Sequence, residues 1–67
     1  MISINEQLAF LELESHCCER VYKFLLLEFG EKNIAVLGKE LKVRHQHLEA
    51  LIQSLRELQT KSTYENH

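Results

Sequence analysis

The sequence of 67 residues has no proline and only two glycines, Gly30 and Gly38. A proline-poor chain rich in leucine, glutamate and lysine favours helix, because these side chains lose little rotamer freedom there. No apolar run approaches the ~20 residues of a membrane-spanning helix. The segment Met1–Glu6 also lacks the basic start and the long apolar run of a signal peptide. We therefore expect an all-α protein in the cytoplasm, with no membrane partner.

Cysteine is scarce, and the two cysteines, Cys17 and Cys18, are adjacent. Neighbouring residues on a helix point about 100° apart, so a disulfide between them would break the helix. We interpret both as small apolar side chains in the core. An intermolecular disulfide across a dimer is the alternative, and a reducing cytoplasm disfavours it.

Residue patterns for catalysis or metal binding are also lacking. His45 and His47 are two residues apart, so on a helix they diverge by about 200° and do not easily share one ion. Spacings of the CxxC or HxxxH type do not occur. No nucleophile–base pair, glycine-rich phosphate loop or pair of buried carboxylates can be identified. The sequence predicts a protein that is not an enzyme and that has no metal site and no cofactor.

The short length of the chain limits its core. A domain of this size buries only ~60% of the surface that its unfolded chain exposes. Its stability is therefore marginal unless a disulfide, a metal or a partner subunit adds to it. With 45% hydrophobic residues the composition is that of a globular protein. Because the sequence predicts neither an intrachain disulfide nor a metal site, a partner subunit is the remaining source of added stability.

Two apolar stripes mark residues 4–29. Ser3 followed by Glu6 fits a capping box at the start of a helix, and Gly30 is a typical C-terminal stop. The polar cluster Glu14–His16 leaves open whether this segment is one long helix or two shorter ones. The first stripe has the 4-3 spacing of a heptad repeat and comprises Ile4, Leu8, Leu11, Ser15, Cys18, Tyr22, Leu25 and Phe29. The second stripe comprises Phe10, Leu13, Cys17, Val21, Phe24 and Leu27.

A helix with two apolar sides cannot bury both of them against one small partner. One side is expected to pack on the rest of the monomer, and the other on a second subunit. We therefore predict a homodimer. We assign its interface to Leu8, Leu11, Cys18, Tyr22, Leu25 and Phe29.

The second half of the chain predicts two further helices. Asn33 is a good N-cap residue for a short helix that ends near Lys42. Val43 lies in a turn, and a last helix spans about 45–59. The polar segment 60–67 is expected to fray.

Residues 34–55, IAVLGKELKVRHQHLEALIQSL, resemble the helix-turn-helix superfamily. Gly38 stands where two steeply packed helices cross, and Val43 stands where the turn is plugged. Lys42 departs from the pattern, because glycine is most frequent at that turn position. The inward leucines of the motif are Leu37, Leu41, Leu48 and Leu51.

The resemblance implies a small tri-helical domain with residues 33–59 as the helix-turn-helix unit and a long N-terminal helix, continuous or broken, that dimerises. In this superfamily the second helix enters the major groove of double-stranded DNA. Arg44 would bind guanine and Gln46 adenine, while Ala50 would meet a thymine methyl group. The candidate DNA-binding residues are Lys39, Lys42, Arg44, His45, Gln46, His47, Glu49, Ala50 and Gln53.

The charges are unevenly distributed along the chain. Residues 1–31 carry six carboxylates and two basic residues, a net −4, whereas residues 32–61 carry six basic residues and three carboxylates, a net +3. Such asymmetry is typical of a nucleic-acid face opposite an acidic body. These features favour a homodimeric, sequence-specific transcriptional regulator. The alternative is a protein-interaction module that binds another regulatory protein, such as an antirepressor or a polymerase-binding inhibitor, and the overall charge of −2 and Glu49 favour it.

Overall fold

The computed structural model describes residues 3–65, with side chains through Lys61. Helix α1 spans Ile4–Phe29 and helix α2 spans Ala35–Glu65, with residues 30–34 forming the turn between them. The two helices pack antiparallel as a hairpin of 53 × 17 × 15 Å. The all-α class is confirmed. The prediction of a tri-helical domain is wrong, since the described part of the chain has two helices.

Helix α1 is a single continuous helix with both of its predicted ends. The Ser3 hydroxyl oxygen accepts a hydrogen bond from the Glu6 backbone N–H at 3.2 Å, as the capping box requires. At the other end Gly30 has a φ of +82°, and its N–H donates to the Leu26 carbonyl at 3.0 Å. The polar cluster in the middle causes no break, because Ser15 faces α2 and is buried.

Helix α2 passes through Lys42 and Val43 without a turn, which corrects the predicted boundary between two helices. The chain has no proline and, after Gly38, no glycine, so no residue favours a break. The inward positions also continue through this region at heptad spacing, and a turn there would remove them from α1. Val43, predicted to plug the turn, is 40% exposed on the outside of the helix.

Two further boundaries need correction. Asn33 does not cap α2. Its side-chain amide donates to the Phe29 carbonyl at 2.6 Å and so closes the C-terminus of α1. At the far end α2 continues to Glu65, beyond the predicted end at Gln59 and into the segment predicted to fray. The last two residues of that segment lie outside the described part.

The core is a single seam between the two helices. Five apolar side chains on it are buried, and Ile52 is the most covered of them at 4% exposure. The seam positions follow a 4-3 repeat in both helices, which is the geometry of an antiparallel coiled coil. From α1 they are Ile4, Leu8, Leu11, Ser15, Cys18, Tyr22 and Leu25, and from the turn and α2 they are Ile34, Gly38, Leu41, His45, Leu48, Ile52, Leu55 and Gln59.

The hairpin is more extended than a compact domain of its length. Its radius of gyration is 15.7 Å, against about 11 Å expected for a compact chain of this size. Its accessible surface is 5719 Å², against ~4,400 Å² for a compact monomer of this mass. Two helices alone leave much apolar surface open. Neither helix is long and apolar enough to cross a membrane over the residues described.

Candidate protein-interaction face

The uneven charge distribution is used within the hairpin. Acidic side chains of α1 pair with basic side chains of α2 at three levels. Glu14 lies 3.5 Å from Arg44, and Glu19 lies 3.9 Å from His45. Glu12 binds Arg56 nearer the open end of the hairpin. Part of the charge asymmetry is therefore used in contacts within the hairpin itself.

Several predicted DNA-binding residues make contacts with α1. Arg44 pairs with Glu14, as above, and His45 lies in the seam. The Lys42 ammonium group lies 5.0 Å from the centre of the Tyr22 ring. Glu49 accepts a hydrogen bond from the Ser15 hydroxyl at 3.2 Å.

The remaining candidates are exposed on the outer side of α2, away from α1. Lys39, Gln46 and Gln53 recur every seven residues along this side, and Ala50 and His47 lie within about 100° of that row. A recognition helix presents its N-terminal end to the major groove. Arg44 instead lies within a continuous helix, so the geometry from which DNA binding was deduced does not occur here. DNA binding stays a prediction without that support.

The predicted dimer interface is occupied mainly by the chain's own second helix. Leu8 and Cys18 are both 8% exposed, and three of the other four are partly covered at the same seam. Only Phe29, at the end of α1, is open, with 55% exposure. The partly covered residues are Leu11, Tyr22 and Leu25. The first stripe therefore packs within the monomer, and the second stripe remains open.

Four residues of the second stripe lie on an exposed row of α1 with 4-3 spacing, whereas Leu13 and Leu27, 60% and 87% exposed, lie further round the helix. Phe10, Val21 and Phe24 are 59%, 46% and 59% exposed. Glu14 and Cys17 complete the row between them. Cys17 is therefore exposed while Cys18 is buried, and both thiols are free. The expectation of two core cysteines holds only for Cys18.

Helix α2 carries a matching row in which each residue lies two helical turns from the next. Leu37, Leu51 and Leu58 are 46%, 56% and 57% exposed, and Arg44 stands between the first two. The Glu14–Arg44 contact joins this row to the row on α1. Both rows therefore lie on the same broad side of the hairpin. We call this side the apolar face and define it by Phe10, Val21, Phe24, Leu37, Leu51 and Leu58.

The opposite side of the hairpin is polar. The pKa of Glu19 on this side is lowered, chiefly by the hydrogen bond that the Lys23 ammonium donates at 3.0 Å and by the charge of Lys23, with smaller contributions from His45 and His16. A shallow, open depression runs along the seam here. No cluster of three metal-ligating groups forms among the residues that the structure describes. We call this side the polar face and define it by Glu12, Glu19, Lys42, Glu49 and Arg56.

The sequence contained the signal for the apolar face in two parts. The second stripe of α1 is visible in the sequence, but the helix-turn-helix interpretation places Leu37 and Leu51 among its inward leucines. Leu37 and Leu51 are fourteen residues apart, and Leu58 follows seven residues later. Residues spaced by multiples of seven lie on the same side of one continuous helix, so this spacing indicates a straight stripe. Comparisons with known proteins found no matching family model, no similar curated protein and no similar solved structure.

Proposed function

We propose that this chain is a protein-interaction module that binds a helical partner through the apolar face. The observation that carries the proposal is the convergence of six half-exposed apolar side chains, three from each helix, on one side of the hairpin. Exposed apolar side chains grouped on one side of a protein mark interaction sites, whereas isolated exposed leucines do not. The groove between two packed helices receives a third helix in either direction. The side chains then interdigitate as they do between α1 and α2.

The shape of the hairpin supports this function over catalysis. The depressions along its seam are open, as are those on the outside of each helix, and none of them encloses a space in which a substrate could be sequestered. The long axis of 53 Å instead offers a long, narrow contact surface. A regulator of this form acts by occupying a surface of another protein.

A position-specific photocrosslink tests the proposal. A benzophenone-bearing residue replaces Leu51 on the apolar face, and the matched control carries it at Gln53, which is exposed on another side of the same helix. Irradiation of the purified full chain and of cells that contain it is expected to give a discrete protein adduct from position 51 and little from position 53. Equal adduct yields at the two positions would contradict the proposal.

A DNA titration measures the competing function in the same preparation. Binding to double-stranded DNA that weakens steeply with salt, and that Lys39→Ala weakens further, would favour nucleic acid as the partner. We expect no such binding at physiological salt, because the net charge is −2 and three of the basic side chains of α2 already contact α1.

A further inference from the structure

We infer that the occupant of the apolar face is a second copy of this chain, so that two hairpins pack face to face as a four-helix bundle. This inference rests on the proposed function and names its partner. Three observations carry it: the surface that the monomer leaves open, the distribution of apolar side chains along the face, and the charges at its middle.

The open surface matches what a stable dimer buries. The monomer exposes about 1,300 Å² more than a compact protein of its mass would. A standard interface removes roughly 800 Å² from each partner. Face-to-face packing of two hairpins 53 Å long and 17 Å wide provides an area of that order. It also adds a second core layer to a hairpin whose described side chains include five buried apolar ones.

The apolar side chains are placed for a two-fold interface. In an isologous dimer the same patch is used by both copies, so the patch must match itself. Towards the turn the face carries Val21, Phe24 and Leu37, and towards the open end it carries Phe10, Leu51 and Leu58. Both ends therefore have apolar groups to offer to a second copy.

The middle of the face carries one acid and one base. Glu14 and Arg44 are 57% and 63% exposed in the monomer, and their 3.5 Å contact leaves both groups open towards the face. Two copies bring two carboxylates and two guanidinium groups together near the two-fold axis. The four charges then sum to zero, and each arginine has a second carboxylate within reach. This arrangement is self-complementary.

A charge-reversal mixture tests the inference. Glu14→Arg alone brings four positive groups together in a dimer, and Arg44→Glu alone brings four negative groups together. Each variant by itself is expected to dissociate at least about tenfold more readily than the wild type, because like charges meet in the interface. An equimolar mixture restores two charges of each sign, and sedimentation equilibrium is expected to show dimers again.

The matched controls reverse charges on the polar face. Glu12→Arg and Arg56→Glu change the same charges in a pair that also joins the two helices. We expect these variants to dimerise with the affinity of the wild type, whether alone or mixed. An equal loss of dimer in both sets would overturn the inference, because the effect would then come from the hairpin itself.

If the charge reversals unfold the chain, a variant away from the Glu14–Arg44 ion pair still tests the inference. Phe24→Lys places a charge on the apolar face, three residues from Val21 of the turn-side group, and outside the seam. We expect a helical monomer by circular dichroism and sedimentation. A Phe24→Lys dimer of unchanged affinity would overturn the inference.

The outcome for the wild type separates the inference from the proposed function. A wild-type chain that stays monomeric over a wide concentration range overturns self-pairing. If position 51 still crosslinks specifically to a different protein, the interaction function stands and only the second copy is excluded. If position 51 gives no specific adduct of any kind, both are rejected.

Discussion

A Cβ atom at Gly38 would lie 3.0 Å from Cε1 of Tyr22, closer than side chains normally approach. The absence of a side chain at this position of α2 lets the Tyr22 ring lie across the seam, where the Lys42 ammonium group stacks on it. The sequence indicated that Gly38 permits a close approach. The group that approaches is a side chain of α1, and not a third helix.

This contact predicts that the effect of Gly38→Ala depends on residue 22. Alanine is favoured over glycine in a helix by up to ~1 kcal/mol, but in the wild type its Cβ displaces the Tyr22 ring. In a Tyr22→Leu background the displacement is removed, and we expect the substitution to stabilise the hairpin by close to the full propensity gain. Urea unfolding of the four variants measures this coupling. The same change in stability in both backgrounds would show that the contact is energetically silent.

Continuity of α2 at Lys42 gives the second prediction. A turn at this position would gain from glycine, whereas an uninterrupted helix loses about 1 kcal/mol relative to alanine. We expect Lys42→Gly to be less stable than Lys42→Ala by that amount, with both variants lacking the contact with Tyr22. Thermal unfolding followed by circular dichroism measures the difference. A glycine variant more stable than the alanine variant would indicate a turn.

The sequence predicted helix α1 well because each of its signals is local. The hydroxyl of Ser3, the positive φ of Gly30 and the heptad spacing all depend on residues within a few positions of each other. The placement of the two stripes was not determined in the same way. Both stripes are compatible with a helix, and only the position of α2 determines which stripe is buried.

The division of residues 33–59 into two helices failed for a physical reason. Leucines spaced by three, four and seven residues satisfy both a bent pair of helices and one straight helix. Lys42 at the supposed turn has no preference for a turn, and this departure from the family pattern was the observation that favoured the straight form. The recognition-helix geometry is lost with it, because Arg44 and His45 of a straight helix contact α1, whereas DNA binding itself stays a prediction.

Ile52 and Leu51 are adjacent in the sequence but differ in solvent exposure, which gives the third prediction. Ile52 is 4% exposed in the seam, and Leu51 is 56% exposed on the apolar face. Ile52→Ala is expected to cost ~2–5 kcal/mol and to reduce helix content at every protein concentration. Leu51→Ala leaves the seam intact, so we expect it to lower stability only when the apolar face is buried in the dimer. This loss of stability therefore grows with protein concentration. A concentration-independent loss for Leu51→Ala would place this side chain in the monomer core.

The lowered pKa of Glu19 gives a prediction for acid stability. A carboxyl group whose pKa is lower in the folded state stabilises the fold above its unfolded pKa, and this contribution is lost as the pH falls through the folded pKa. Glu19→Gln is expected to flatten the decline of stability in acid and to leave a lower plateau near neutral pH. Because the Lys23 hydrogen bond is the largest cause, Lys23→Met is expected to have the same effect on the pH profile. An unchanged acid arm in both variants would contradict the role of this pair.

The role of Asn33 can be decided by one substitution. As an N-cap of α2, asparagine is replaced by aspartate with little loss, since both accept hydrogen bonds from the first backbone N–H groups. As a donor to the Phe29 carbonyl, it cannot be replaced by an ionised aspartate, which has no proton to donate and meets the negative end of the α1 dipole. We expect Asn33→Asp to lose about 1 kcal/mol at neutral pH, and Asn33→Gly, which removes the side chain without adding charge, to lose less. Chemical denaturation at neutral and at acid pH measures both, and the aspartate variant should recover part of its loss when its carboxyl is protonated. Full stability of Asn33→Asp at neutral pH would instead return Asn33 to the start of α2.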